Sequence, residues 1–450
     1  MVFAELWKKI RNRGTPPKFE LPTTHNCLKK VLLLSQIVGV FPLNHLNEEP
    51  EKLHFTFKSW KVLYTSLTSF GYLFCASLSF YKAFKIGILL NQLSKCKNKS
   101  KHKPSCVSVT PLFFFHSFMT SVLFSQVASR WPLFLNEWTK IEINLLKHYQ
   151  STTDLHKKIR YSAFGMIFVA LLEHCFSMLN YVYSSKCENN STGVEHFFKK
   201  QFHYIFTYMP YNIVFGLCLT FVSWTAAFVW NFGDIFIILL SMIMTERFRQ
   251  INQQIQKKAE ELISTPSPNT KNFIKVYHSD FSKADYQFWR QIREDYDHLT
   301  NIVRYLDQIL SNLVLLSYSC NLTFILIQLF NSLRQMKSAG ESIYFFYSFG
   351  FVIMRIVFVS IFGAFINEES QAALSYLTSL PTEHYNEEIQ RLVTQTHIDS
   401  AALTGHNFFR LTKGLVLSVA AAIITYELVL IQFNQATLNK YMQANETICF

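Results

Sequence analysis

The apolar runs of this 450-residue chain constrain its fold more than any other feature, because several are long enough to cross a lipid bilayer. Hydrophobic residues make up 50% of the chain and charged residues only 16%. This composition is typical of a helical protein that crosses the membrane several times. The sequence contains eight apolar segments: 28–46, 60–82, 106–129, 159–184, 208–245, 309–332, 343–366 and 412–433.

The first apolar segment, 28–46, differs from the others because it contains charged and helix-ending residues. Lys29 and Lys30 lie near its start, and Phe41-Pro42 ends it in a tight turn. These features indicate a short amphipathic helix that lies at the membrane surface or re-enters it. The seven remaining segments then predict an all-α, polytopic membrane protein with seven transmembrane helices, a cytosolic N-terminus and an extracellular C-terminus.

Loop charges and N-glycosylation acceptor sites support this orientation. After the first span, the loops placed inside contain 18 Lys and Arg, against 12 in the segments placed outside, although the lysine run Lys95 to Lys103 opposes the trend. The net charge of +13 is spread over loops, so we expect no nucleic-acid partner. The acceptor sites on the outside are Asn98, Asn189, Asn190 and Asn445. Four cysteines in or beside these outside segments are disulfide candidates whose pairing stays open: Cys96, Cys106, Cys187 and Cys449.

The pattern of polar and apolar stretches predicts a cytosolic helical domain below the membrane. The segment 208–245 meets no helix breaker at its end, so its helix continues into the cytosol. A polar helix over about 283–308 leads back to the membrane. The predicted units are 1–59 (cytosolic N-terminus with the short helix), 60–245 (transmembrane helices one to four), 246–308 (cytosolic linker), 309–366 (helices five and six), 367–411 (cytosolic amphipathic helices), 412–433 (helix seven) and 434–450 (extracellular tail).

Glu173 and His174 lie in the middle of the apolar segment 159–184. A carboxylate at membrane depth is costly unless it faces water, a ligand or a hydrogen-bond partner. The pair therefore predicts either a polar cluster that lines a ligand cavity or a hydrogen-bonded contact between two helices.

The following segment contains aromatic and polar residues that suit a sugar ligand: Trp224, Trp230, Asn231 and Asp234. Trp230 and Asp234 are four residues apart and share one helical face. The C–H face of a sugar packs on an aromatic ring, while its hydroxyl groups need hydrogen-bond partners. Because aromatic residues make up 16% of the chain, ordinary packing is the alternative interpretation.

Five polar residues of the next two spans complete the candidate pocket: Asn321, Gln328, Tyr344, Tyr347 and Arg355. The predicted topology places Gln328, Tyr344 and Tyr347 in the extracellular half of the membrane. Arg355 lies deeper, and we expect it to pair with a buried carboxylate, with Glu173 as the candidate partner. A buried ion pair that binds no ligand is the alternative.

Motifs of catalysis, cofactor binding and metal binding are missing from the sequence. It contains no GxSxG, HExxH or GxxxxGK[ST], and no Cys/His spacing typical of zinc sites. We therefore expect a protein that is not an enzyme and holds no cofactor or metal.

The last apolar segment carries polar groups at helical spacing. Thr425, Val429 and Gln432 fall on one helical face, with Leu428 beside Val429. A hydrophobic constriction next to a ring of amides is what a symmetric pore helix presents to its axis. The alternative is a face directed into the interior of the helix bundle.

The residues at this position resemble the signature that closes insect gustatory receptors: Thr425-Tyr426, five residues, then Gln432-Phe433. Glu427, directly after Tyr426, resembles the variant typical of their sugar-sensing branch. The likeness covers nearly the whole chain and includes motifs at 36–42, 129–132, 173–174, 228–234, 247–251 and 366–370.

The resemblance implies a homotetrameric, ligand-gated, non-selective cation channel in the plasma membrane of chemosensory neurons, working alone or with related receptors. Each subunit would hold a sugar pocket in its extracellular half. The last helices would line a central pore for cations, and Glu427 would lie near it. The pore-lining candidates are Thr425, Leu428, Val429, Gln432 and Phe433.

Two other classes share some of these features. A G-protein-coupled receptor also has seven spans, but the predicted cytosolic N-terminus and the missing Asp-Arg-Tyr and Asn-Pro-x-x-Tyr motifs disfavour it. A sugar transporter would show internal repeats and paired broken helices, which the sequence lacks.

Overall fold

The computed structural model of the chain describes residues 23–96, 109–149, 154–189, 193–264, 274–332 and 339–446, and these are helical almost throughout. The helices are α1 (Thr24–Ile37), α2 (Trp60–Cys96), α3 (Thr110–His148), α4 (Leu155–Asn189), α5 (Val194–Gln201), α6 (His203–Phe206), α7 (Ile213–Ser264), α8 (Ile274–Ser332), α9 (Ala339–Thr378), α10 (Glu387–Ile398) and α11 (Lys413–Glu446). Short 3-10 turns occupy Pro50–Lys52 and Thr382–His384.

Seven of these helices are long and apolar enough to span a bilayer, which confirms the predicted number. They are α2, α3, α4, α7, α8, α9 and α11. Helix α1 is not among them, in agreement with its prediction as a short membrane-associated helix. The bundle core is dominated by aliphatic and aromatic side chains from α3, α7, α8 and α9.

Helices α7 and α8 extend far beyond the membrane. They contain 52 and 59 residues, or about 80–90 Å of helix at 1.5 Å per residue, against a hydrocarbon core of about 30 Å. Helix α7 begins at Ile213 rather than near 208, because the Asn212 side chain accepts a hydrogen bond from Val214 N at 2.8 Å. The predicted polar helix 283–308 and the following span are one continuous helix.

The turn after α1 places an aromatic anchor in the bundle. Gly39 adopts φ +81°, and a Cβ there would lie 3.1 Å from the Tyr64 ring. Phe41, also at positive φ (60°), is fully buried among Phe124, Trp131 and Phe236, with ring centroids 5.5–6.1 Å away. The tight turn predicted at Phe41-Pro42 therefore docks α1 onto the helix bundle.

A buried ion pair fixes the first turn of α1. Arg247 of α7 and Glu142 of α3 are 0% exposed, and Arg247 Nη2 lies 2.7 Å from Glu142 Oε1. The same carboxylate accepts hydrogen bonds from the backbone N–H of Thr24 (2.8 and 3.0 Å) and from its hydroxyl. Trp138 Nε1 donates to that hydroxyl at 2.6 Å. These contacts join three elements that are distant in the sequence.

Helix α11 packs very differently from the other spans. None of its bilayer-length apolar window is buried within the subunit, whereas 22–50% of the corresponding windows of the other six spans is buried. It leaves the bundle after Leu411, which packs directly over Gly363, and an ion pair joins Lys413 to Glu368. An apolar helix left uncovered by its own chain needs lipid or another copy as its neighbour.

Candidate functional site

A cavity of about 150 Å³ lies where α3, α4, α7, α8 and α9 meet. The short helices α5 and α6 close one side of it. Its lining combines apolar and polar side chains from all these elements: Val109, Thr110, Phe113, Phe114, Glu173, His174, Ser177, Met178, Gln201, Phe202, Tyr204, Ser223, Trp230, Phe324, Gln328, Tyr344 and Ser348.

The polar side of the cavity is organised around Glu173 of α4. Ser348 Oγ on α9 donates to Glu173 Oε1 at 3.1 Å, and Tyr344 OH approaches the same oxygen at 3.5 Å. Gln328 Nε2 on α8 lies 3.1 Å from Ser348 Oγ. Glu173 is 8% exposed, so this chain of hydrogen bonds provides part of the solvation that a buried carboxylate requires.

Another part of the cavity lining is aromatic. Trp230 of α7 packs against Phe324 of α8 at 4.8 Å between ring centroids and edge-on against Phe113 of α3 at 5.4 Å. Trp230 is only 8% exposed, and its position between two rings fixes its orientation. A rigid ring and a hydrogen-bonded carboxylate therefore line the same small cavity.

Four residues that line this cavity have a buried polar atom without a partner among the described residues. The atoms are His174 Nε2, Gln201 Oε1, Trp230 Nε1 and Gln328 Oε1. Buried polar groups are nearly always hydrogen-bonded, so several unpartnered groups around one cavity indicate that something else fills their bonds. Water or a polar ligand would do so.

A second polar cluster lies next to the cavity, behind Trp230. Arg355 Nη2 is 2.6 Å from Asp234 Oδ2, and both side chains are 5% exposed. The guanidinium lies 4.4 Å from the Trp230 ring centroid and donates to the Trp230 carbonyl at 3.0 Å. The predicted pairing of Arg355 with Glu173 is therefore wrong. Asp234 lies one helical turn after Trp230, which places its carboxylate within reach of Arg355.

The predicted pocket residues fall into two groups. Glu173, His174, Trp230, Gln328 and Tyr344 line the cavity. The others lie around it. Asp234, Arg355 and Asn321 form the cluster behind Trp230, with Asn321 Nδ2 3.1 Å from Asp234 Oδ2.

Three predicted residues have other contacts. Trp224 packs edge-on against His174 from outside the cavity, at 4.5 Å. Asn231 donates to the backbone carbonyl of Ala227 at 2.8 Å. Tyr347 donates to the backbone carbonyl of Val169 at 3.2 Å.

The sequence analysis predicted none of the lining residues from α3, α5 and α6. Ser177 and Ser348 follow Glu173 and Tyr344 by four residues, so helical spacing from the predicted residues would have identified them. No such signal identifies Phe113 or Gln201. Phe113 lies in an ordinary apolar run, and Gln201 lies in a segment that the sequence predicts as an extracellular loop.

The predicted pore stripe is exposed on α11. The Thr425 hydroxyl donates to the Ala421 carbonyl at 2.8 Å, as it does in isolated helices. Tyr426, Leu428 and Val429 are 36%, 56% and 39% exposed, and Glu427 and Gln432 are exposed as well. Phe433 belongs to α11, but its side chain lies outside the described residues, as do the side chains of all four glycosylation candidates and the four disulfide candidates.

Comparison with known proteins identifies the family. The trehalose receptor family model matches residues 17–267 and 273–442. The Drosophila melanogaster gustatory receptor for sugar taste 64a is 28% identical, with 96% of this chain and 90% of that receptor covered. Gustatory receptor 5a for trehalose, from the same organism, is 26% identical, with 94% and 88% covered.

A solved structure has the same fold. The insect olfactory receptor OR5 from Machilis hrabei, in complex with eugenol, superposes with a TM-score of 0.62 over 90% of this chain and 97% of that one, at 14% identity. This likeness concerns the fold alone. Because the family model matches nearly the whole length, the chain belongs to the trehalose receptor family, the sugar-sensing branch of the insect gustatory receptors, and is a multi-pass membrane receptor rather than an enzyme.

Proposed function

We propose that this chain is a sugar receptor that works as a ligand-gated, non-selective cation channel in the plasma membrane of chemosensory neurons. The observation that carries the proposal is the cavity in which a buried carboxylate, unpartnered polar atoms and a fixed tryptophan ring surround one space. Two of the similar receptors are named for sugar taste and for trehalose. With the N-terminus in the cytosol and the C-terminus outside, as the sequence predicts, this cavity would lie in the outer half of the bundle.

In this proposal each wall of the cavity has its own role in binding. Glu173 accepts a hydrogen bond from a sugar hydroxyl, and Gln328 Oε1 and His174 Nε2 offer further partners. The part of the Trp230 ring that lines the cavity contacts the C–H groups of the sugar. The hydroxyls of Ser348 and Tyr344 hold the Glu173 carboxylate in place, since both contact its Oε1 atom.

The size of the cavity suggests how the ligand is selected. Pockets for drug-sized ligands usually measure about 300–1,000 Å³, and this one measures about 150 Å³. It suits a single sugar ring as it stands. A disaccharide would require the helices to separate or α5 and α6 to move, and such a movement would couple ligand binding to the rest of the bundle.

The proposed channel is a tetramer with α11 at its axis, either of this chain alone or with related receptors. The uncovered apolar surface of α11 supports this arrangement, because Gln432 is costly in lipid but hydrated beside a pore. Thr425, Val429 and Gln432 would face the axis. Glu427 is two residues after Thr425, about 200° around the helix, so it would face away from the axis.

Recording from cells that express the full chain tests the channel and the pocket together. We expect mono- and disaccharides to evoke a rapid cation current without a second messenger. Gln328→Leu should raise the half-maximal sugar concentration at least fivefold, whereas Tyr347→Phe, outside the cavity, should leave it unchanged. Sugar uptake without current would identify a transporter, and a current that needs G-protein activation would identify a coupled receptor.

The pore assignment has its own test. Gln432→Glu adds a ring of carboxylates at the proposed axis and should increase the permeability of calcium relative to sodium. Glu427→Gln changes the opposite helical face and should leave this ratio unchanged. Equal effects of the two substitutions would argue against the proposed rotation of α11.

A further inference from the structure

A second cleft opens between α3 and α8, far along both helices from the cavity described above. It measures about 40 Å³ and is lined by Leu123, Gln126, Val127, Arg130, Gln308, Ile309, Asn312 and Leu313. Gln126 and Arg130 are four residues apart on α3, and Gln308 and Asn312 are four apart on α8. Each pair therefore occupies one helical face, and the two faces meet across the cleft.

The polar side chains of this cleft have no partners within the described part of the chain. Arg130, Gln126, Gln308 and Asn312 are all exposed, and none of these side chains donates to or accepts from another described side chain. Three other arginines on the same side of the bundle pair with carboxylates: Arg249 with Glu369, Arg293 with Glu388 and Arg304 with Asp399. The N–H donors of Arg130 therefore have no partner among the described residues.

The depth of the cleft coincides with the edge of the membrane. Arg130 directly follows the apolar segment 106–129, and Gln308 directly precedes the apolar segment 309–332. Leu123 and Leu313 lie deeper along their helices, toward the bilayer centre. The lining thus extends from Arg130 at the membrane surface to Leu123 and Leu313 inside the membrane, and amide side chains occur along its whole depth.

We propose that this cleft binds the headgroup phosphate of an anionic glycerophospholipid. Arg130 offers a planar fork that pairs with two phosphate oxygens, and the amides of Gln126, Gln308 and Asn312 offer N–H donors to the others. The volume admits about three water-sized groups, so the phosphate oxygens enter and the glycerol stays outside. The acyl chain follows the groove beside Leu123, which a free phosphate would not use.

The sign of the charge and the location favour an anionic lipid over a zwitterionic one. No carboxylate lines the cleft among the described residues. Basic pockets between transmembrane helices on the cytosolic side commonly bind anionic headgroups. Only the assignment to the cytosolic leaflet rests on the proposed orientation of the chain, and binding itself does not.

The test measures thermal stability of the purified full chain in a neutral detergent without a sugar headgroup, titrated with phosphatidylserine, phosphatidylcholine or inorganic phosphate. We expect phosphatidylserine to raise the melting temperature in a saturable way. Arg130→Gln should need at least fivefold more lipid for half the effect. Arg160→Gln is the matched control, because it removes the same charge from an arginine whose contact is the Tyr161 ring, and should behave like the wild type.

A second variant keeps the positive charge of Arg130 and allows the proposal to be tested even if Arg130→Gln does not fold. Asn312→Leu removes one amide donor and should weaken the phosphatidylserine effect two- to threefold. Equal stabilisation by phosphatidylcholine, or by inorganic phosphate without lipid, overturns the assignment. So does a wild-type response in both Arg130→Gln and Asn312→Leu.

Discussion

Two buried arginine–carboxylate pairs connect the helices of this receptor, and their surroundings differ. Arg247 and Glu142 are both 0% exposed, and the Glu142 carboxylate also accepts hydrogen bonds from the backbone N–H and the hydroxyl of Thr24. Around Arg355 and Asp234, both 5% exposed, Ser317 and Asn321 donate to the carboxylate at 2.5 and 3.1 Å. However, Arg355 Nη1 and Asn321 Oδ1 have no partner among the described residues.

This difference separates a structural contact from one that a ligand can influence. The carboxylate of Glu142 is saturated by donors that hold α1, α3 and α7 together, so a change there costs packing and hydrogen bonds at once. The Arg355 cluster keeps free hydrogen-bonding capacity and contacts Trp230, which lines the cavity. We infer that the first pair stabilises the fold and the second positions the binding site.

Glu142→Ala is the substitution with the largest expected effect. It leaves the Arg247 guanidinium buried without its carboxylate and removes the acceptor of Thr24. Breaking a buried pair from one side costs about 3–5 kcal/mol. We expect little folded protein, as measured by size-exclusion chromatography and by the melting temperature in detergent.

The control for this substitution lies on the same helix. Glu137→Ala removes an exposed carboxylate of α3 and should change stability by less than about 0.5 kcal/mol. If Glu142→Ala were as stable as Glu137→Ala, the Glu142 network would not be the structural contact inferred here.

Arg355→Met should destabilise the protein less than Glu142→Ala does, but it should weaken the response to sugar more. Asp234 keeps Ser317 and Asn321 as donors, so the expected loss is about 1.5–3 kcal/mol. Without the guanidinium, the Trp230 ring loses the group that packs over one of its faces. We expect the half-maximal sugar concentration to rise about tenfold, which corresponds to about 1.4 kcal/mol of binding, in whole-cell recordings.

Arg355→Lys distinguishes positioning from mere charge. A lysine keeps the positive charge beside Asp234 but lacks the planar group above the indole ring. It should restore most of the stability and only part of the sugar response. Full recovery of both would mean that the charge alone matters and that Arg355 does not position Trp230.

The sequence predicts the spans well because each is an apolar run of bilayer length, and this signal is local. It also predicts that Glu173, His174 and Trp230 line a pocket, and all three line the cavity. Ionisable groups at membrane depth and tryptophans beside polar residues are conspicuous in an apolar run. The partner of Arg355 was not predictable in this way. Asp234 and Glu173 are both carboxylates within the spans, and only helix packing decides which one the guanidinium meets.

Ser348→Ala tests whether the Glu173 network serves binding or stability. It removes one donor to Glu173 and leaves Tyr344 at 3.5 Å. One hydrogen bond contributes about 0.5–1.5 kcal/mol, so we expect a two- to tenfold weaker sugar response with nearly unchanged melting temperature. Ser375→Ala, whose hydroxyl bonds within its own helix, is the matched control. A large loss of stability would indicate that the Glu173 network resembles the Glu142 network after all.

The smallest effect is expected at a third pair, Arg293 and Glu388, which lies outside the membrane-spanning segments. The Arg293 side chain is 23% exposed, and its Nε lies 2.5 Å from Glu388 Oε2. This hydrogen bond holds the pKa of Glu388 below its usual value, so its contribution to stability is present at neutral pH and is lost as the pH falls through the folded-state pKa. Arg293→Gln should therefore cost about 0.2–1 kcal/mol at pH 7. Its melting temperature should approach that of the wild type below about pH 4. A deficit that stays constant down to that pH would mean that Arg293 stabilises by packing rather than through the charge of Glu388.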